Sequence, residues 1–180
     1  DSDVFGVGRV NAANMVTTGS SGGLGFTVLG GSLDVDGEYL TAGHSVGSQG
    51  RVGLPGGGER LNRAWYVDKS GSVDARLSFD LSDAGLSAPA AGQQFRLLYS
   101  AAQAGPFADA GLNATVAGDQ VSFDVGNVQL TDGYYTLAVL SVIDDTIAVS
   151  EGTTTVGPAG VLANDAGNPN ATPAAGSYTS

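Results

Sequence analysis

His44 is the single histidine of the 180-residue chain, and it closes the run D-G-E-Y-L-T-A-G-H at residues 36–44. An imidazole becomes a general base when a nucleophile stands beside it and an acid orients it. Ser45 follows it in sequence, but adjacent residues of an extended chain point to opposite faces. No G-x-S-x-G elbow occurs. His44 is therefore expected in a turn, hydrogen-bonded to backbone, and not in a triad. Asp34, Asp36 and Glu38 form a second set, of the D-x-D-G kind. Carboxylates are hard-oxygen ligands suited to calcium, which takes about six to eight oxygens. Three carboxylates supply at most half of such a shell, and the spacing and closing Glu of an EF-hand are missing. Eighteen acids also offer pairs for glycoside hydrolysis. The aromatic-lined cleft of such enzymes has little support in a chain with one Trp, and Trp65 is expected in the core rather than on a glycan platform. Arg60 and Arg63 are expected to fork onto Glu38 or Glu59.

Seven basic residues against 18 acidic ones give a net charge of −11. That balance repels phosphate backbones and anionic lipid, so neither nucleic acid nor membrane insertion is expected. The chain has no cysteine, which removes disulfides, zinc–thiolate sites and thiol nucleophiles together. Two glycine-rich stretches, 19–23 and 53–58, lack the Lys-Ser/Thr or the helix start of a phosphate-binding loop. The longest apolar run, at residues 137–143, is short for a bilayer span, and a soluble chain is expected.

Glycine and turn signals recur every eight to twelve residues, with alternating apolar segments between them. That pattern predicts an all-β fold, a β-sandwich of jelly-roll or immunoglobulin-like kind with an extended C-terminal strand-rich tail. Expected strands are 4–10, 25–29, 39–42, 63–68, 72–80, 94–100, 114–117, 120–128 and 134–143. Leu77, Phe79 and Leu81 fall on one face, with Arg76, Ser78 and Asp80 on the other. Gly118-Asp119 reads as the turn of a tight hairpin.

Residues 36–44, then E-R-L-N-R-A-W-Y-V-D-K-S-G-S-V at 59–73 and L-T-D-G-Y-Y-T-L-A at 130–138, carry a resemblance. Over about residues 30–140 the chain resembles a β-domain recurrent in secreted, multi-domain bacterial surface proteins. The resemblance implies an extracellular, architectural module without established chemistry. From Asp144 the sequence D-D-T-I-A-V-S-E-G-T, followed by G-V-L-A-N-D, looks like the opening of the cadherin-like immunoglobulin repeats of bacterial adhesins. This second resemblance implies a calcium role for Asp144 and Asp145, with Glu151 and Asp165 near them.

Such repeats run to about a hundred residues, and here only the first third follows. The expected organisation is a β-sandwich over 1–140 and an extension over 141–180. Strands without partners leave backbone groups unpaired and an apolar face exposed. The extension can lie on its own domain or complete another subunit by strand addition. The second choice makes Ile147, Val149, Val156, Val161 and Leu162 assembly residues and the product a homopolymer, with residues 1–10 as an edge strand beside the receiving groove. The expected function is then a non-catalytic structural protein forming a surface filament, sheath or layer. The alternative is a calcium-assisted adhesin module that grips a glycan or a cell-surface protein.

Overall fold

The computed structural model describes residues 2–44, 50–55 and 57–141. Those residues contain no helix and form an all-β sandwich of two antiparallel sheets. The first half supplies β1 (Ser2–Asn11), β2 (Asn14–Val16), β3 (Thr18–Ser21), β4 (Leu24–Val28), β5 (Tyr39–His44), β6 (Arg51–Gly53) and β7 (Glu59–Leu61). The second supplies β8 (Trp65–Ser70), β9 (Ala75–Asp80), β10 (Gln93–Ser100), β11 (Ala108–Asp109), β12 (Thr115–Ala117), β13 (Gln120–Val125) and β14 (Gly133–Ser141). The larger sheet is ordered β11-β10-β14-β8-β5-β1-β2, with β7 also on β14 and β6 on β7. The smaller is β12-β13-β9-β4-β3.

Period-two alternation decides which face each strand buries. Leu77 and Phe79 of β9 and Val121, Phe123 and Val125 of β13 turn inward, while Arg76 and Asp124 pair on the outer face. Opposing strands of the larger sheet contribute Leu40, Val67, Leu97, Tyr135 and Leu137. Trp65 is fully buried, edge-on to Phe79 of the facing sheet at 5.7 Å between centroids. Phe5 meets Phe26 across the same gap at 4.8 Å.

At Thr17 the chain changes sheets, since β2 pairs with β1 in one and β3 with β4 in the other. Strands that bend from one sheet into the other make the corners of such sandwiches. β1 consequently has β5 on one side, and on the other β2 alone, which pairs only with Gly8, Arg9 and Asn11. Along residues 2–7 no described strand pairs with that second side, so the expected edge strand holds there and is corrected only at its C-terminal end. The expected hairpin is present: Ala117 opposes Gln120 across Gly118-Asp119, and Gly118 has φ of 64°, a left-handed value that glycine adopts without strain. The extension expected from residue 141 begins on the last residue of β14, and 142–180 lie outside the described residues.

Candidate functional site

The acidic loop before β5 is built around Glu38, not around a cation. Glu38 is buried, and its two carboxylate oxygens accept from the backbone N–H of Val35 at 3.0 Å and of Ser72 at 2.7 Å. Those donors, Val35 first, hold its carboxyl below the usual range against the opposing effect of burial. Gly71 lies directly under the carboxylate with φ of 82°, where a Cβ would overlap it. Arg9 fastens the other side of the loop, its Nε 2.9 Å from Asp36 Oδ1 and its Nη1 donating to Leu33 O at 3.1 Å. Asp34 and Asp36 are exposed. Among the described residues no three of His, Asp and Glu gather as a metal site. The other acidic positions considered for calcium, Asp144 and Asp145, lie outside the described residues.

His44 stands at the end of β5, buried, not in a turn as expected. Its Nε2 is 3.0 Å from Asp3 Oδ2, and its ring is edge-on to Trp65 at 6.0 Å. Ser2 opposes His44 in the β1–β5 ladder, which brings Asp3 alongside. Ser45, the neighbouring hydroxyl, lies outside the described residues. Trp65 is in the core as expected, with its indole N–H buried and unpartnered among the described residues.

The two arginines go elsewhere than expected. Arg63 donates to Gly22 O at 2.7 Å and lies 5.9 Å from the Trp65 ring centre. Arg60 donates to Leu61 O at 2.7 Å and stacks over Phe107 at 4.7 Å. Burial pushes the Arg60 guanidinium down from its ordinary value. Glu59 pairs instead with Arg51, at 3.4 Å. The correction has a simple cause: Glu59 and Arg60 are consecutive on β7, so their side chains leave opposite faces.

Two features on the outside of the larger sheet were not read from the sequence. The first is a groove of about 440 Å³ over β10 and β14, walled by the β6–β7 turn and the segment 106–109. Leu98 and Leu140 form its floor, with Leu54, Pro55 and Phe107 at its sides and Arg96 and Asp109 on its rim, 3.4 Å apart. The signal was available in the neighbouring pairs Leu97-Leu98 and Val139-Leu140, where alternation breaks because both faces are covered. The second is the outer edge of β10. β14 covers one side of it from Gln93 to Ser100, whereas β11 covers only Leu98 and Tyr99 on the other. Along residues 93–96 no described strand takes up that edge. The proposed assembly residues Ile147, Val149, Val156, Val161 and Leu162 lie outside the described residues.

Compared with protein-family models, with curated proteins and with solved structures, the chain has no match.

Proposed function

We propose that this chain is a non-catalytic, extracellular structural protein whose β-sandwich assembles into a surface filament, sheath or layer through strand addition by its C-terminal segment. The observation that supports this most directly is the open edge of β10 at residues 93–96. Strand N–H and C=O groups without a neighbouring strand are a template for another strand, although here Gln93 N–H already donates to Ala90 O at 3.2 Å and Phe95 O accepts from Arg96 Nη1 at 3.4 Å. β14 ends level with this edge but on the opposite side of β10, since its last residue, Ser141, opposes Gln93 on the covered side, which leaves the open side to a strand from a neighbouring copy. Several of the described carboxylates and cations are engaged in internal contacts, as at Glu38, Arg9–Asp36 and Arg76–Asp124. That too suits a building block better than a catalyst.

Negative-stain electron microscopy of the full chain tests the reading. Regular filaments or sheets are expected, and removing residues 144–180 is expected to abolish them while the buried Trp65 keeps its blue-shifted emission. Dispersed particles at every concentration would overturn the structural reading and favour a calcium-assisted adhesin module.

A further inference from the structure

The groove over β10 and β14 lies beside an uncompensated cation. Four of the six arginines face a carboxylate: Arg9 with Asp36, Arg51 with Glu59, Arg76 with Asp124 and Arg96 with Asp109. Arg63 is turned inward onto Gly22 O and Trp65. Arg60 remains, with backbone carbonyls and the Phe107 ring as its contacts and no carboxylate among the described residues. In a molecule of net charge −11 an unpaired guanidinium against an apolar wall is a receptor for an acidic group followed by aliphatic ones. The other apolar groove, about 500 Å³ along Gly6, Gly8, Val10, Val16 and Tyr39, lacks this feature because its Arg9 is already paired with Asp36.

The sequence beyond β14 has the complementary order. Asp144 and Asp145 precede Ile147 and Val149, which are two residues apart and share one face of an extended segment. We propose that segment 144–149 of a neighbouring copy seats in this groove, its acidic pair on Arg60 and Ile147 and Val149 between Leu54, Phe107 and Leu140. The site rests on the assembly reading and names where that assembly is made. The same copy's segment is a poorer occupant, since it leaves β14 at Ser141 and would have to reverse within three residues to bring Asp144 to Arg60. Arg96 belongs both to the groove's rim and to the open edge at 93–96. A segment seated in the groove can therefore continue as a strand on β10.

The absence of cysteine makes disulfide trapping a clean test. The full chain carrying Pro55→Cys, on the groove's exposed side, is mixed with a size-tagged full chain carrying Thr146→Cys and oxidised. Thr27→Cys, exposed on the smaller sheet, replaces Pro55→Cys as the control. Expected is a hetero-crosslink well above the control, lowered about tenfold or more by Arg60→Glu and restored when Asp144→Arg and Asp145→Arg are added to the partner. Near-ultraviolet circular dichroism confirms that each variant is folded, and Arg60→Gln, expected to show a smaller loss, stands in if Arg60→Glu is not. Crosslinking no better than the control while the parent chain still polymerises would place the acceptor elsewhere and leave the assembly reading intact. With both cysteines in one chain, a purely intramolecular crosslink in a chain that stays dispersed would overturn the neighbouring-copy occupant and the assembly reading together.

Discussion

At the scale of the residue, Glu38 does the most work for its size. It ties Val35 at one end of its loop to Ser72, which lies 34 positions beyond Glu38 itself, through two charge-assisted bonds. Removing the carboxylate leaves two amide donors with little solvent, so Glu38→Ala is expected to cost roughly 2–4 kcal/mol, read as a fall in the urea midpoint. The folded-state pKa lies below the ordinary 4.5, so the stabilisation is complete above that value and is lost as pH falls through the lower folded value. Asp80, held down first by the Asp83 N–H, and Asp124, held down first by Arg76, act in the same direction. Stability is therefore expected to drop below about pH 4.5, and Glu38→Gln should flatten part of that slope in thermal melts. By contrast, the exposed Arg76–Asp124 pair has close geometry, at 2.6 and 2.9 Å, yet Arg76→Ala is expected to leave the urea midpoint nearly unchanged because water competes for both partners. Trp65→Ala belongs to the other extreme, at about 3–5 kcal/mol, since nothing in a close-packed core moves in to fill the space.

At the scale of the element, Gly118 makes the sharpest prediction. Its φ of 64° is needed for the two-residue turn between β12 and β13, so Gly118→Val is expected to cost about 1–2 kcal/mol. Chemical denaturation reads that loss. This hairpin, and the inward faces of β9 and β13, were legible because alternation over five or six residues has few alternative readings. β2, β3, β6, β7 and β11 were not, because each has two to four residues and no period can be recognised over so short a span. Their existence depends on a long neighbour, as β11 depends on Leu98 and Tyr99 of β10. Trp65 was legible as core because a lone Trp on a strand has few other places to go. The partners of Arg60 and His44 were not: they depend on which strand lies beside β7 and β5, and tertiary pairing is not written in local spacing.

At the scale of the whole molecule, charge and assembly pull against each other. Copies carrying −11 repel over distances set by salt, about 30 Å of screening length at 0.01 M against about 8 Å at 0.15 M. Polymer formation is expected to be slow at the lower salt and faster at the higher, followed by light scattering; a rate that falls on adding salt would mean that attractive pairs govern the encounter. The order of the larger sheet carries a different consequence, one about time. β10 and β8 are held together through β14, whose residues 133–141 come last among the described strands. Until that stretch has emerged, the sheet has a gap at its centre that β1 and β5 cannot close, however early they are made. The long-range pairings that complete it are of the slow kind. The larger sheet is therefore expected to close only once its last described strand has emerged, whereas β8, β5, β1 and β2, and the whole smaller sheet, have their neighbours earlier.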